Sequence, residues 1–490
     1  MSCGIRLASL VVLVTLAGAT LTSAQVTFQQ TALNSGDTSS VSIVAGDFNG
    51  DGILDLVTIN ASSLSFYKGL GGGKYAAAGK RSIPVQNLGQ AAAADFNRDG
   101  NLDLAIAGSP FGNNTPHVTI LLGNGDGTFR PGTTIATKGN ANFITLADFS
   151  GDRLPDIAVS TCSNPTFCTS QVFLGQGNGT FKRSATLTYG GGQIVAGDFD
   201  ADGHQDLALL SQGELALYLG NGNGTFKSPI LAALSDGVSL AVGDFYNNRI
   251  QSLAVLVSVM VGTEAEDVYI YSARYSNGQL LIENQLKLES GVQAPYQRLA
   301  AGDLNGDFKE DVFLVGGTFM AGAQSGYLLG NGDGTFGNLL QGLHWGDSQD
   351  FPFLRDLDRD SRHDVGMAWT SFFDAIGGAE VLKNTSATTN CAPPAANALS
   401  VNICAPVNGQ TVGKTFTFRG AGNAWNGIAK RMELWIDGKK VGQDLEDQLK
   451  LTTSLSEGPH TASFVVVDSF DNHVSGSVSF TASFQTRSSP

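Results

Sequence analysis

Short acidic loops carry the side chains of this sequence that are best suited to hold a metal ion. Each loop starts with an aspartate followed by Phe or Leu, and in most of them oxygen-bearing side chains recur at loop positions 3, 5 and 9. In proteins, Ca²⁺ takes six to eight oxygens from carboxylates, amides and backbone carbonyls. The spacing therefore predicts a calcium ion in each loop that keeps the pattern, with the backbone carbonyl of position 7 as a further ligand.

Seven such loops, called loops one to seven, start at Asp47, Asp95, Asp148, Asp198, Asp244, Asp303 and Asp356. Six of them keep the pattern, and we predict that their oxygen-bearing side chains are the metal ligands. In chain order these are Asp47, Asn49, Asp51 and Asp55; Asp95, Asn97, Asp99 and Asp103; Asp148, Ser150, Asp152 and Asp156; Asp198, Asp200, Asp202 and Asp206; Asp303, Asn305, Asp307 and Asp311; and Asp356, Asp358, Asp360 and Asp364. Loop five has Tyr246 at position 3 and Ser252 at position 9, and we predict that it is empty.

Position 6 of each loop is expected to adopt a left-handed backbone conformation, which glycine tolerates best. Loops one, two and four have glycine there, whereas loops three, six and seven have Arg153, Phe308 and Ser361. A side chain at such a position costs about 1 kcal/mol, which metal binding would offset. The alternative is that the loops are only turns, because Asp, Asn and Gly dominate turns. Six copies at one internal spacing favour metal binding.

The loops recur along the chain with a period near fifty residues. Their starting aspartates are separated by 48, 53, 50, 46, 59 and 53 residues. A period of this length indicates a propeller, a solenoid or another repeat array. Apolar runs on both sides of each loop, such as Val41–Ala45 in front of loop one, are typical of strands. Each loop is therefore expected to join two strands of a hairpin.

A second phrase follows each of several loops at a distance of about twenty residues. It reads Leu-Gly-Asn-Gly-Asp-Gly-Thr-Phe at 122–129 and recurs at 174–181, 219–226 and 329–336, with a weaker copy at 68–75. The glycines indicate a hairpin turn with positive φ angles, and the Phe is expected to start the next strand. Each repeat then has four strands, and seven such units closing into a ring make a β-propeller.

The two ends of the repeat region suggest how this ring closes. The last repeat stops after Val381–Asn384 without a following Thr-Phe strand, and Val26–Gln30 contains a Thr-Phe pair. We predict that residues 26–33 pair with 381–384 and complete the seventh unit, which would also protect sheet edges.

The two phrases resemble the FG-GAP repeat, also called the VCBS repeat. The resemblance covers roughly residues 26–386 in seven copies and implies the seven-bladed propeller of integrin alpha chains and of many secreted bacterial proteins. In that family the acidic loop binds Ca²⁺, which implies the ligands named above. The family does not fix an activity, since it includes adhesion receptors, sugar-binding lectins and propellers attached to enzymes.

The remaining segments complete an all-β organisation. Residues 1–24 have Arg6, an apolar run and small residues before position 25, as a cleaved signal peptide does. Residues 25–387 form the propeller, and 388–398 are a Pro/Ala linker. The short strands expected in residues 399–486 predict a β-sandwich. Two phrases in this segment, Leu434–Gly438 and Gly458–Thr461, resemble bacterial Ig-like domains. In this part Trp425 and Trp435 could form an aromatic platform for sugar, although core packing is favoured for Trp435.

Four cysteines would remain after cleavage. An even number in an exported chain indicates disulfides, and we expect the local pairs Cys162–Cys168 and Cys391–Cys404. No CxxC spacing occurs, which disfavours zinc and redox roles.

The net charge of −15 is largely a property of the loops. Twenty of the 44 acidic residues stand at the predicted ligand positions, and the other 24 are outnumbered by 29 Lys and Arg. The acidity is therefore weak evidence for a cationic partner. The sequence also has no basic cluster with interleaved aromatics, so we expect no nucleic-acid binding.

These observations favour a secreted, calcium-stabilised propeller scaffold that binds an extracellular or cell-surface protein or glycan, as adhesion proteins do. A carbohydrate-binding lectin is the alternative, and a propeller-bearing hydrolase or lyase is less favoured. We expect no enzymatic activity, no catalytic residues and no cofactor other than several Ca²⁺ ions. The protein is expected to be a monomer without a membrane span after signal cleavage. It would be secreted or held at the cell surface, with the periplasm also open.

Overall fold

The computed structural model describes most of the chain from residue 26 to residue 483, and the chain has only β-strands as regular elements in this part. The described residues are 26–37, 40–60, 63–83, 85–86, 89–110, 117–164, 167–211, 213–261, 265–292, 296–318, 322–341, 348–358, 360, 362–371, 376–386, 399–423, 429–444, 448–468 and 472–483. The predicted signal peptide and linker, and Ser361 and Trp425, lie outside them. In the described part no helix is long and apolar enough to cross a membrane.

The described residues of the repeat region form seven antiparallel sheets, and their first strand, β1 (Phe28–Asp37), belongs to the last of these sheets. Sheet one comprises β2 (Ser40–Gly46), β3 (Asp55–Asn60), β4 (Ser63–Gly71) and β5 (Lys74–Ser82); sheet two β6 (Val85–Gln86), β7 (Ala91–Ala94), β8 (Asp103–Pro110), β9 (His117–Gly123) and β10 (Phe129–Ala136); sheet three β11 (Asn140–Ala147), β12 (Asp156–Asn164), β13 (Phe167–Gly175) and β14 (Phe181–Leu187); sheet four β15 (Ile194–Gly197), β16 (Asp206–Ser211), β17 (Glu214–Tyr218) and β18 (Ile230–Ala233); sheet five β19 (Gly237–Gly243), β20 (Ser252–Val261), β21 (Ala265–Ser276) and β22 (Gln279–Val292); sheet six β23 (Tyr296–Gly302), β24 (Asp311–Thr318), β25 (Gly322–Leu328) and β26 (Leu340–Gln341); and sheet seven β27 (Ser348–Arg355), β28 (Asp364–Ser371), β29 (Ile376–Asn384) and β1.

Each acidic loop joins two neighbouring strands of one sheet, as predicted. Loop one connects β2 to β3, which pair from Gly46↔Asp55 to Ser40↔Asn60. The residue at position 9 is the first residue of the second strand in all seven repeats. Strand β3 is buried along its whole length, and the side chain at position 9, Asp55, is fully buried at its start.

The first strands of the sheets contact one another in cyclic order. These contacts run from β2 through β7, β11, β15, β19, β23 and β27, and β27 in turn contacts β2. Apolar clusters fill the spaces between neighbouring sheets; one of them combines Val57 and Phe66 of sheet one with Leu104 and Phe129 of sheet two. The fold of the repeat region is thus an all-β, propeller-like arrangement of mostly four-stranded sheets.

The predicted pairing of the N-terminal segment with the last repeat is confirmed. Strand β1 runs antiparallel to β29, with Phe28 opposite Asn384 and Thr31 opposite Val381. The backbone N–H of Thr27 also donates to Ser386 Oγ at 3.0 Å. The two ends of the repeat region are therefore held together by a strand ladder.

A contact between successive repeats fixes the position of the acidic loops. The Phe48 carbonyl of loop one accepts a hydrogen bond from Gly127 N of sheet two at 2.9 Å, and the Phe48 and Phe129 rings meet edge to face at 5.6 Å. Loops two, three and five repeat the ring contact as Phe96–Phe181, Phe149–Phe226 and Phe245–Phe336. The glycine-rich phrase is therefore more than a turn, because it also locks onto the acidic loop of the preceding repeat.

The C-terminal sandwich, residues 399–483, consists of two sheets that share one core. Its strands are β30 (Ser400–Ala405), β31 (Thr411–Val412), β32 (Thr415–Asn423), β33 (Ala429–Ile436), β34 (Lys439–Asp444), β35 (Gln448–Ser454), β36 (Gly458–Asp468) and β37 (His473–Ala482). One sheet has the order β30-β32-β35 and the other β31-β37-β36-β33-β34. Phe418, from the first sheet, and Leu434 and Phe464, from the second, are fully buried in the common core.

One sequence-based expectation is wrong in this domain. Trp435 does not pack in the core, because Met432, Leu434 and Ile436 point inward and Trp435 lies on the opposite face of the same strand. There its indole N–H donates to Glu433 Oε2 at 2.9 Å.

The predicted disulfide between Cys162 and Cys168 is present and links β12 to β13. Cys404 is also disulfide-bonded, and its predicted partner Cys391 lies outside the described residues.

Candidate metal centres

Position 1 of each loop organises the turn through its carboxylate. Asp47 accepts hydrogen bonds from the backbone N–H groups of Asp51 at 3.1 Å and Gly52 at 2.8 Å. These bonds curl the loop around the carboxylate, and position 6 takes the predicted left-handed conformation. The φ angle there is 80° at Gly52, 88° at Gly100, 66° at Arg153, 90° at Gly203, 67° at Arg249 and 65° at Phe308.

Position 9 holds the loop to the second half of its repeat. The buried Asp55 carboxylate accepts one backbone hydrogen bond from Phe48 N at 3.0 Å and another from Gly69 N at 2.7 Å. The other five pattern-keeping loops repeat both bonds: Asp103 with Phe96 and Gly123, Asp156 with Phe149 and Gly175, Asp206 with Phe199 and Gly220, Asp311 with Leu304 and Gly330, and Asp364 with Leu357 and Asn384. One acid thus links a loop to a strand that lies up to 20 residues further along.

The donor glycines are site residues that sequence reasoning missed. A Cβ added at Gly123 would lie 2.1 Å from the backbone oxygen of Leu102, the residue just before Asp103. Glycine is therefore required for close approach of two backbones rather than for a turn. In the sequence, this position is marked by the first glycine of the Leu-Gly-Asn-Gly phrase. In sheet seven Asn384 takes this place, and its side chain also donates to Leu304 O at 2.7 Å.

Burial places an electrostatic cost on the position-9 carboxylates. Desolvation raises the pKa of Asp55, Asp103, Asp156 and Asp206 to about 7 each, against backbone hydrogen bonds that lower it. Burial and the nearby Asp358 charge raise the pKa of Asp364 to about 8. A cation at the centre of the loop would stabilise the charged carboxylates.

Three predicted carboxylate ligands come together in each of loops four and seven. In loop four, ligand oxygens of Asp198, Asp200 and Asp206 all lie within 4.8 Å of one another. Asp356, Asp358 and Asp364 do the same in loop seven. Positions 1, 3 and 9 therefore meet around one point, and position 5 is outside these two groups.

Loops one, two, three and six have an amide or hydroxyl at position 3. In loop one, Asn49 Nδ2 donates to both oxygens of Asp55 at 2.9 and 2.8 Å. Metal binding at this loop requires the amide to present its oxygen instead. In loop two, the Asn97 amide donates to Asp99 at position 5, at 2.9 Å.

Basic side chains approach the outer carboxylates of most loops. At position 5, Asp51 pairs with Lys68 at 3.0 Å, Asp99 with Arg130 at 3.6 Å and Asp307 with Lys309 at 3.7 Å. In loop four, Lys227 lies 3.7 Å from Asp200 and 3.9 Å from Asp202. These four cations are at least one-third exposed, so the pairs are weak.

Loop seven is closer to neutral before any metal binds. Lys383 pairs with Asp358 at position 3, and Arg362 pairs with Asp360 at position 5. The second Asp358 oxygen is nevertheless buried without a hydrogen-bond partner, which is a costly arrangement that a metal ion would relieve. The donor set of the six loops thus fits a hard divalent cation, most completely in loop four.

Loop five keeps the turn and lacks the donors. Asp244 accepts hydrogen bonds from Asn248 N at 3.0 Å and Arg249 N at 2.6 Å. Ser252 Oγ accepts the hydrogen bond from Phe245 N at 3.1 Å in place of a position-9 carboxylate. The Tyr246 hydroxyl is bonded to Glu283 and Ser272, both at 2.9 Å. A single carboxylate remains at the four ligand positions, so the loop is poorly suited to a divalent ion.

The fold and the loops define a propeller-like repeat protein with acidic hairpin loops. The family model of the FG-GAP-like repeat matches residues 47–106, 95–159 and 198–255. The chain therefore carries FG-GAP-like repeats, and these three matches support the expected resemblance over loops one to five. A search of curated proteins found no match.

Solved structures with similar folds are distant. A lectin from Agrocybe aegerita that recognises non-reducing terminal N-acetylglucosamine is 18% identical, covers 62% of this chain and 80% of its own, and has a TM-score of 0.39. AofleA from Arthrobotrys oligospora is 10% identical over 64% of this chain and 90% of its own, with a TM-score of 0.35. The fibronectin(III)-like modules of Clostridium thermocellum CbhA are 22% identical over 18% of this chain and 100% of their own, with a TM-score of 0.17. At these TM-scores none of the three bears on function or on the number of blades.

Proposed function

We propose that the protein is a secreted binding scaffold whose propeller is stabilised by Ca²⁺ in six of its seven acidic loops. The observation that carries this proposal is the meeting of three carboxylates in loop four, while loop five forms the same turn with one. Three close carboxylates repel one another and are costly to bury. Acids that the turn does not need are best explained by a ligand that needs them.

Chelation tests the calcium claim directly. The metal-free protein should melt at a clearly lower temperature than the protein in calcium, because each ion that binds only the folded chain adds about 2.7 kcal/mol at one hundred times its dissociation constant. Differential scanning calorimetry with chelator, Ca²⁺ and Mg²⁺ measures the effect. Equal melting temperatures in chelator and calcium would contradict the proposal.

We also propose a closed ring of seven blades followed by an Ig-like domain, with boundaries at 25–387 and 399–486. The cyclic contacts of the first strands and the β1–β29 ladder support closure. The shared core of two sheets supports a sandwich in the C-terminal part. Export, with removal of residues 1–24, agrees with the Cys162–Cys168 disulfide, since disulfides persist in oxidising compartments.

Binding rather than catalysis is the proposed activity, and the ligand is an extracellular protein or a glycan. The acidic side chains of the loops are engaged in turn formation and proposed metal ligation, and the same arrangement occurs in six copies, whereas an active site rarely does. A pull-down from native surface material, with and without Ca²⁺, tests the partner class. A glycan array tests the lectin alternative, and turnover in a hydrolase screen would overturn the non-enzymatic assignment.

A further inference from the structure

Three acidic loops carry a large side chain at the position where glycine is least strained. Arg153, Arg249 and Phe308 occupy position 6 of loops three, five and six, with φ angles of 66°, 67° and 65°. An L residue at such an angle is strained, so each of these side chains has a cost that glycine avoids. A Cβ added at Gly100 or Gly203, the equivalent glycines of loops two and four, would meet no atom within 4 Å. Local crowding therefore does not dictate which residue stands at this position.

Two of these side chains, Phe308 and Arg249, contact the C-terminal sandwich. Lys450 Nζ, from β35, lies 4.8 Å from the centre of the Phe308 ring, within the range of a cation–π contact. The Arg249 guanidinium lies against β34, since a Cβ added at Gly442 would be 3.1 Å from Arg249 Nη1. Arg153 borders the same interface, where it lines a cavity together with residues of β33 and β34.

The interface encloses space above loop four. The cavity has a volume of about 690 Å³ and is lined by Asp202 and Gly203 of loop four and by Trp435 of the sandwich. Because loop four has Gly203 at position 6, there is space above this loop. The larger side chains of Arg153 and Arg249, on the two neighbouring loops, line the edge of the cavity. This arrangement accounts for the half-buried position of Trp435, on the side of its sheet that faces away from the sandwich core.

We propose that Arg153, Arg249 and Phe308 form a docking surface that holds the C-terminal sandwich over loop four. The strain at position 6 is retained because these side chains supply contacts that glycine cannot make. The docking surface goes beyond the proposed calcium function and does not require it, since its contacts are made by side chains that are not metal ligands.

The test removes the docking side chains while relaxing the loops. In the full chain, Arg249→Gly combined with Phe308→Gly should abolish amine cross-linking between Lys309 and Lys450 and increase the radius of gyration measured by small-angle X-ray scattering. The melting temperature of the ring should not fall, because glycine tolerates a positive φ. The matched control combines Arg98→Gly and Asn277→Gly, which change residues at φ 60° and 51° away from the described contacts. It should leave the cross-link and the radius unchanged.

A second variant changes the sandwich side of the interface. Lys450→Glu leaves every acidic loop intact and should increase the radius of gyration, whereas Lys450→Arg keeps the cation and should not. Both series are measured in calcium and in chelator, which separates failed docking from failed calcium binding. An unchanged radius in both the double-glycine variant and Lys450→Glu would overturn the proposal.

Discussion

Loops four and five lie in neighbouring repeats and share one backbone turn, yet they offer a metal ion very different side chains. Asp198 accepts from Gly203 N at 3.1 Å, and Asp244 accepts from Arg249 N at 2.6 Å, so the first carboxylate shapes both turns. Loop four adds carboxylates at positions 3, 5 and 9, whereas loop five has none there. The difference shows that a turn of this shape needs one acid and one acceptor at position 9. The additional acids of loop four therefore need a separate explanation, which calcium provides.

The largest effect is expected when the acceptor at position 9 is removed in each loop. Asp206→Ala leaves Phe199 N and Gly220 N buried without their acceptor, at about 1–3 kcal/mol each. Ser252→Ala removes the acceptor of Phe245 N and the donor to Gly243 O. Its cost should be smaller, because hydrogen bonds to a hydroxyl are weaker than those to a carboxylate. Thermal unfolding of both variants in chelator measures the two costs without any contribution from metal. Equal losses would show that position 9 does not hold loop four in the proposed way.

A substitution at position 3 has a smaller expected effect and separates metal binding from turn formation. Asp200→Ala, at position 3, removes one carboxylate of the cluster and keeps the backbone hydrogen bonds of Asp198 and Asp206. It should lose up to about 2.7 kcal/mol of stabilisation in saturating calcium. The loss in chelator should be small, because the lost hydrogen bond from Asp202 N is opposed by the relief of repulsion between the carboxylates. Tyr246→Phe, at position 3 of loop five, serves as the matched control and should show no calcium-dependent change. A loss for Asp200→Ala that is the same in chelator and in calcium would point to packing instead.

The glycine whose backbone N–H donates to the position-9 carboxylate is also expected to resist substitution. Gly123→Ala forces a Cβ to within 2.1 Å of Leu102 O, so we expect a loss of about 1–3 kcal/mol from overpacking. Gly79→Ala, where a Cβ would meet no atom within 4 Å, is the control and should be nearly neutral. The equivalent place in sheet five is occupied by Tyr275, opposite the serine loop. Urea unfolding of both variants measures the difference, and a tolerated Gly123→Ala would remove glycine from the site.

The smallest effect is expected in the C-terminal sandwich, which serves as a reference without acidic loops. The hydrogen bond from His460 Nδ1 to Asp437 Oδ2, at 2.6 Å, raises the pKa of His460. A raised folded-state pKa stabilises the fold below the unfolded value near 6.5, and this stabilisation is lost as pH rises through the folded value. Because Asp437 is half exposed, the loss should be at most about 1 kcal/mol.

Hydrogen exchange of the Thr461 amide, which donates to Asp437 Oδ1, measures this loss between pH 6 and 8. The change should be the same in calcium and in chelator. A calcium-dependent change there would show that the sandwich is not an independent reference.

Much of the repeat architecture could be predicted because it depends on residues that are close together in the sequence. The loop positions, their place between hairpin strands and the left-handed position 6 all follow from residues within nine positions of one another. The pairing of β1 with β29 could be predicted for a different reason. One end of the repeat region lacked a strand, and the other end supplied a matching phrase.

The remaining features depend on contacts between distant segments. Asp103 receives its second hydrogen bond from Gly123, 20 residues away, and Phe48 meets the turn of the next repeat at Gly127. Neither partner can be identified before the sheets are assembled. Trp435 is different, because the alternation of Met432, Leu434 and Ile436 was sufficient to place the indole opposite the core.

The number of calcium ions bound per chain tests the central claim most directly. Equilibrium dialysis of the metal-free protein against radioactive calcium should give about six ions, one for each loop that keeps the acidic pattern. At a concentration that just saturates the wild type, Asp200→Ala should bind one ion fewer, because it removes the position-3 ligand oxygen, and Tyr246→Phe should bind the same number as the wild type. No bound calcium, or a number that Asp200→Ala leaves unchanged, would contradict the account.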